Sequence, residues 1–225
     1  MPNYVQEALI DLGHNTPTKI VPNPMPYYPP TYGQQPEPTA EPAKFTPDPA
    51  DVLFLQRVCG KFLYYSRAVN NAILCGLNRL GTKQHSTTKQ DMRDANHLLD
   101  FLANTPDCGT TFNPSDMQLA VHADSSFLSE PRSRSRAAVY ENLIRLLDDP
   151  RTAINGAVDK KSSIIPVVCA SAHEAEYAAY FIAGQSLRNT RQTLADLSYP
   201  QKATPLIGDN QTAVGVANRT QRQRR

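Results

Sequence analysis

An apolar, strand-like run that ends in a carboxylate constrains this chain most. Residues 119–127 read LAVHADSSF, which predicts a β-strand that ends at Asp124, where a turn begins. A strand that ends in an acid exposes that acid at the edge of a sheet. Asp124 is therefore the first candidate for a functional side chain.

Two further acids lie in comparable settings downstream. Glu176 lies early in a predicted helix over 171–197, and Asp209 ends a short apolar run that a second helical segment follows from Asn210. Hard divalent cations such as Mg²⁺ take oxygen ligands and keep several waters, so a few carboxylates are enough for a site. Asp124, Glu176 and Asp209 are the predicted metal ligands.

From residue 110 onward, short β-like runs predict an α/β domain. The runs cover 117–123, 136–147, 153–158 and 164–169, with turn signals at Pro131, 148–150 and 159–162. A long helix, one more strand and another helix follow. This order predicts a mixed sheet with a parallel crossover that brings Asp209 beside Asp124.

The preceding residues predict a mostly helical region with a proline-rich arm. Apolar residues at helical spacing predict helices over 2–12, 51–68, 71–80 and 88–103. Twelve of the 19 prolines fall in residues 1–50, which favours an extended connector. The predicted parts are a short helix with the arm (1–50), a helical connection region (51–109) and the α/β domain (110–225).

Composition excludes some classes of protein. A net charge of +2 argues against a strongly basic nucleic-acid clamp, although residues 219–225 hold four arginines and no acid. That tail is either solvated or in contact with phosphates, and the sequence favours neither reading.

The four cysteines have no paired spacing, so neither a zinc site nor a disulfide framework is predicted. Without a membrane-length apolar run or a signal-peptide pattern, an intracellular, non-secreted protein is expected.

Neighbouring polar residues on the long helix are given different roles. Ser171 and Glu174 have the spacing of a capping box, which assigns Glu174 to the helix start. Glu176 points about 200° round the helix from Glu174, so the two cannot share one site. His173 is predicted to be an exposed bystander, and His122 a packed imidazole.

Three motifs follow one another along the chain: HADSSFLSE (122–130) with RSRA (134–137), SAHEAEY (171–177), and DNQTA (209–213). Weaker signals are MPNYVQEAL (1–9) and GKFLYYSRA (60–68). Together they resemble the carboxy-terminal part of the polyprotein of copia-type retrotransposons, where the end of the reverse transcriptase runs into a ribonuclease H domain. The resemblance covers nearly the whole chain.

The resemblance implies a ribonuclease H-like mixed sheet with flanking helices, in which Asp124, Glu176 and Asp209 match the catalytic acids. It implies two Mg²⁺ ions, replaceable by Mn²⁺, that cleave the RNA strand of RNA–DNA hybrids. One ion lowers the pKa of the attacking water and the other stabilises the departing 3′ oxygen, while the 2′-hydroxyl marks the RNA strand. The residues expected to contact nucleic acid are Ser125, Ser126, Arg134, Arg136, Asn210, Arg222 and Arg224.

The sequence departs from the family pattern at two places. The family has a fourth acid beyond the Asp-Asn motif, after a basic segment, whereas this sequence stops at Arg225 within that segment, so weak activity is expected. Ala137 and Ala138 stand where paired glycines are frequent. A Tyr-x-Asp-Asp polymerase motif is absent from the sequence, so polymerisation by this chain alone is excluded. Besides the hybrid, the resemblance implies a reverse-transcriptase portion or another polyprotein product as a partner.

Two other functions are compatible with the same sequence. A catalytically inactive nucleic-acid-binding or structural remnant of the polyprotein would share the fold, with the three acids splayed or paired with arginines such as Arg134 and Arg136. A structural protein of a larger complex would use the proline-rich arm and an exposed apolar face of the helices. If Asp124, Glu176 and Asp209 converge, the enzyme is favoured over the inactive remnant and over the structural protein.

Overall fold

The computed structural model describes residues 1, 3–26 and 46–220. They belong to two compact units, Met1–Gly109 and Thr110–Arg225. The boundary lies at the residue where the sequence predicts the start of the α/β domain. Most of the proline-rich arm, as well as Arg222 and Arg224, lies outside the described residues.

Helices make up the described part of the first unit. They are α1 (Tyr4–Asp11), α2 (Pro49–Ala68), a short 3-10 helix (Asn71–Ile73), α3 (Leu74–Gly81) and α4 (Lys89–Asn104). The start of α2 is set by Asp48, whose side chain accepts a hydrogen bond from the Ala50 amide at 2.9 Å, and by Pro49 at the first helical position. Thr88 and Asp91 form a capping box at the start of α4.

One hydrophobic core joins the four α-helices described in this unit. Val5 and Leu9 of α1 belong to the same cluster of buried side chains as Phe62 of α2 and Leu98 of α4. Helix α1 therefore packs with the helical connection region, and the predicted separation of residues 1–50 from 51–109 does not hold for this helix. Burial of such apolar side chains is the main source of stability in a unit of this size.

The second unit is α/β, with a mixed four-stranded sheet. Its elements are β1 (Gln118–Glu130), β2 (Arg134–Ile144), β3 (Ala157–Ile164), α5 (Ala172–Asp196), β4 (Leu206–Ile207) and α6 (Gln211–Ala217). The strand order is β3-β2-β1-β4. Strand β2 is antiparallel to both of its neighbours, whereas β4 is parallel to β1. The predicted mixed sheet and its parallel crossover are confirmed.

The first strand is longer than the sequence predicts. Asp124 lies inside β1, whose antiparallel pairing with β2 continues to Ser126, so the prediction that the strand ends at Asp124 is wrong. Residues 124–126 are exposed or half-buried, so the antiparallel pairing with β2, and not burial, keeps this part of the strand extended. The parallel pairing with β4 stops at His122. Asp124 is therefore exposed just beyond the end of the neighbouring strand.

The third strand replaces a predicted turn. Residues 159–162 lie in the middle of β3, while most of the predicted runs 153–158 and 164–169 lie outside strands. The polar side chains of this strand find partners within the unit. The Lys160 ammonium group lies 3.1 Å from the Thr110 hydroxyl, and the Ser186 hydroxyl donates to Asp159 at 3.3 Å.

Helix α5 lies across one face of the sheet. Its buried side chains Tyr180 and Ala183 belong to the same cluster as Leu119, Val121 and Ala123 of β1. Because residues four apart share one side of a helix, the same packing places Glu176 and Tyr180 on the sheet side of α5. Within the described ranges, no helix combines the length and the apolar character needed to cross a membrane.

Candidate metal centre

Three carboxylates from different elements meet in the second unit. Asp124, Glu176 and Asp209 each offer an oxygen, and these oxygens lie within 4.8 Å of one another. Asp124 comes from β1, Glu176 from the start of α5, and Asp209 from the segment that directly follows β4. The parallel pairing of β4 with β1 brings the third acid to the first. The predicted convergence of the three acids is confirmed.

Two hydrogen bonds from one serine hold Glu176. The amide and the hydroxyl of Ser125 both donate to Glu176 Oε1, at 3.0 and 2.8 Å. The other oxygen, Oε2, is buried and has no hydrogen-bond partner among the described residues. A buried carboxylate oxygen without a partner is unfavourable, so this atom is available for a cation.

Burial raises the pKa of Glu176 above its ordinary value. The hydrogen bonds from Ser125 oppose this shift, whereas the negative charges of Asp124 and Asp209 add to it. The side chain is 6 % exposed, whereas Asp124 and Asp209 are exposed. The cluster thus has a buried floor and two carboxylates open to solvent. A cation bound here would relieve the repulsion among the three charges.

Tyr180 completes the floor of this site, and sequence reasoning missed it. It lies four residues after Glu176 on α5, and its hydroxyl is buried without a hydrogen-bond partner in the described part of the chain. Burial raises the pKa of Tyr180 to about 12, with further contributions from Glu176, Asp209 and Asp124. The spacing of four residues from Glu176 was the available signal, because it places both side chains on one side of the helix.

No protein-family model matches this sequence. No match was found among curated proteins either. The residues of the site and their geometry are therefore the basis for a functional proposal.

The side chain of Tyr180 leaves no room for a Cβ atom at position 208, which is occupied by glycine. A Cβ atom on Gly208 would overlap the hydroxyl and the ring of Tyr180. We expect Gly208→Ala to reduce the free energy of unfolding by about 1–3 kcal/mol, the usual effect of overpacking. Tyr180→Leu in the same chain should recover part of this loss, since it removes the overlapping atoms. Denaturant unfolding of the single and double variants measures both effects, and strictly additive losses would contradict the predicted contact.

The structure removes Arg136 from the predicted nucleic-acid contacts. Its guanidinium group is buried and pairs with Glu130 at 2.6 Å, and it also donates to the Ser162 hydroxyl at 3.1 Å. Glu130 pairs with Arg134 in the sheet, and the side chain of Arg136 reaches it from further along β2, so this arginine stabilises the sheet. Arg134 is half-buried at the same end.

The remaining predicted contacts lie close to the acids. Ser125 binds Glu176, and Ser126 is exposed on the next position of β1. Asn210 caps α6, where its side chain accepts a hydrogen bond from the Ala213 amide at 3.0 Å. Contact of these three residues with nucleic acid remains a prediction.

The start of α5 corrects one prediction. Ser171 accepts the hydrogen bond from the Glu174 amide at 3.3 Å, as a capping box requires. The Glu174 carboxylate, however, accepts from the Ala170 amide at 2.7 Å instead of from Ser171. Nδ1 of His173 lies 2.8 Å from the Ser171 hydroxyl.

The Nε2 atom of His122, on β1, is buried, and burial lowers the pKa of this imidazole. Glu174 and His173 therefore contact the start of α5, and neither they nor His122 belongs to the acid cluster.

Proposed function

We propose that this chain is a ribonuclease H-like protein derived from a retrotransposon, which hydrolyses the RNA strand of RNA–DNA hybrids with the help of a divalent cation. One observation carries the proposal: three carboxylate oxygens lie within 4.8 Å of one another, and the buried Glu176 keeps one oxygen without a partner. Three negative charges at such distances repel one another, and a cation is the simplest compensation.

The donor set fits Mg²⁺, with Mn²⁺ as a substitute. All three side chains are carboxylates, the hard oxygen ligands that these ions prefer, and Asp124 and Asp209 are open to solvent on the side from which water and phosphate oxygens approach. When bound, Mg²⁺ supplies charge that offsets the phosphate and lowers the pKa of a coordinated water.

The chain's own residues prepare this chemistry. Ser125 donates two hydrogen bonds to Glu176 Oε1, and these restrict rotation of the whole carboxylate. Strand β4 and the cap formed by Asn210 hold the segment that carries Asp209. Acids that are held in place before the cation binds lose less conformational entropy on binding.

The fold is compatible with the same proposal. A mixed sheet with the order β3-β2-β1-β4 lies under α5, and the acids occur in the order strand, helix and end of the parallel strand. This is the order that the resemblance to the copia-type ribonuclease H domain implies. The proposed substrate is therefore an RNA–DNA hybrid, with Ser126 and Arg134 near its phosphates.

A cleavage assay tests the proposal directly. Purified full chain is incubated with an RNA–DNA hybrid labelled on the RNA strand, with single-stranded RNA and duplex DNA as comparison substrates. We expect cleavage of the RNA in the hybrid when Mg²⁺ or Mn²⁺ is present, and none with a chelator. Cleavage that persists with the chelator would contradict the metal centre. Hybrid binding without cleavage under every metal condition would instead favour the catalytically inactive nucleic-acid-binding remnant.

A further inference from the structure

The hydroxyl of Tyr180 is unusual for a buried group. The side chain is 7 % exposed, and its hydroxyl oxygen has no hydrogen-bond partner among the described residues. Buried tyrosine hydroxyls nearly always have a partner, because an unmade hydrogen bond in the interior is unfavourable. A buried hydroxyl without a partner among the described residues therefore points to a group that comes with the ligand of this site.

The surroundings of the hydroxyl indicate which group this is. The Tyr180 ring packs in the cluster under the sheet, and its hydroxyl lies against the backbone of Gly208, which directly precedes Asp209. Ser125 already donates to Glu176 through Oε1 and to Asp124 through Oδ1, and the remaining oxygen of Glu176, the unpartnered Oε2, is the one assigned above to the cation. Asp209 is exposed and follows a glycine, so its carboxylate has room to turn towards the buried floor.

We propose that Tyr180 is a positioning residue of this centre, whose hydroxyl donates a hydrogen bond to the Asp209 carboxylate when a divalent cation draws that carboxylate towards Glu176. The inference rests on the proposed function, since it requires a cation between the acids. A carboxylate has two oxygens, so Asp209 can bind the cation with one and accept from Tyr180 with the other. Hydrogen bonds of this kind orient metal-binding carboxylates and increase metal affinity.

Manganese binding to the full chain tests the inference without reference to cleavage. Free Mn²⁺ is followed by electron paramagnetic resonance during titration of the wild type, Tyr180→Phe and Tyr177→Phe. Tyr177 is the matched control, because it lies on the same helix beside Glu176 but is 50 % exposed. We expect the dissociation constant for Mn²⁺ to rise about tenfold in Tyr180→Phe, as for other residues that orient ligands, and to stay unchanged in Tyr177→Phe.

Thermal unfolding separates a positioning role from a structural one. Without metal, Tyr180→Phe should unfold at the same temperature as the wild type or higher, because the change removes only an unpartnered hydroxyl. With Mn²⁺ the variant should gain less stability than the wild type, since stabilisation by a ligand follows its affinity. A lower unfolding temperature without metal, together with unchanged Mn²⁺ affinity, would show a purely structural tyrosine and overturn the inference.

The remaining outcomes distinguish this inference from the proposed function. If the wild type binds Mn²⁺ and Tyr180→Phe binds it equally well, only the role of Tyr180 is overturned. If the wild type does not bind Mn²⁺, the metal centre itself is wrong and the inference falls with it. Asp124→Asn serves as the reference for a site that has lost a ligand.

Discussion

Asp124→Asn is expected to reduce the rate of hybrid cleavage about a thousandfold or more, while the chain still folds. In the proposed centre this carboxylate contributes one of the three charges that would hold the cation. A metal ion provides several kcal/mol of transition-state stabilisation, which corresponds to roughly this factor in rate. Asp124 is exposed and asparagine has nearly the same size, so packing is preserved. Single-turnover cleavage of a labelled hybrid in saturating Mg²⁺ measures the loss.

Asp196→Asn is the matched control for this experiment. Asp196 is an exposed acid at the end of α5, where it accepts a hydrogen bond from Gln192 at 2.8 Å, which an asparagine oxygen can also accept. The control loses the same charge outside the cluster, so its cleavage rate should stay within about twofold of the wild type. Equal rates in all three proteins would show that Asp124 takes no part in the reaction. Circular dichroism of each variant excludes loss of fold as the cause of a slow rate.

The sequence predicts the acid cluster well because each acid has a strong local signal. Asp124 and Asp209 follow apolar runs, and Glu176 lies just after the serine cap of a long amphipathic helix. The strand that follows α5 returns to the sheet parallel to β1, and this crossover brings Asp209 beside Asp124. Local patterns and one rule of topology are therefore enough to predict that the three carboxylates meet.

Features that depend on distant partners could not be predicted in the same way. The polar residues of β3 resemble a solvated turn, but Lys160 and Asp159 are bonded to Thr110 and Ser186. Arg136 resembles a phosphate-binding side chain in the sequence, whereas in the folded hairpin it forms a buried ion pair with Glu130. Charge and local propensity do not predict such pairings, because the pairings depend on which elements become neighbours in the fold.

Tyr180, at the site itself, also depends on a distant partner and could not be predicted as a site residue. Its position in an apolar helical stripe predicts a core residue, and its ring is one. The unpartnered hydroxyl becomes visible only when Gly208, from another element, is placed against it. A site residue whose hydrogen-bonding group is brought into place by a distant element is therefore difficult to predict from the sequence.

Glu176→Gln is expected to have two opposite effects, which makes it the most informative single change. Cation binding and cleavage should fall about a thousandfold or more, since the buried ligand loses its charge. The metal-free protein at neutral pH should instead become more stable, by roughly 1–2 kcal/mol, because a buried charge with an unpartnered oxygen is replaced by a neutral amide. The glutamine oxygen can still accept from Ser125, and its amide can donate to Asp124 or Asp209.

The pH dependence of stability follows from the direction of the pKa shift. Burial raises the pKa of Glu176 in the folded state, with the other two acids adding to the shift, so the folded state binds its proton more tightly than the unfolded state. The stability gained from this proton is present below the ordinary pKa of 4.5 and is lost as the pH rises through the higher, folded-state value. In Glu176→Gln this loss should disappear.

Glu174→Gln is the matched control for Glu176→Gln. Glu174 lies on the same helix turn but is exposed and accepts from the Ala170 amide, which glutamine can also do. Denaturant unfolding without and with Mg²⁺ measures these stabilities. In the absence of metal, Glu176→Gln should lie above the control at neutral pH, and the difference should shrink as the pH falls towards the ordinary pKa value of 4.5. In saturating Mg²⁺ the order should reverse, because a ligand stabilises only the proteins that bind it. A Glu176→Gln protein that is less stable than the control under both conditions would show that this carboxylate serves the fold and not a cation.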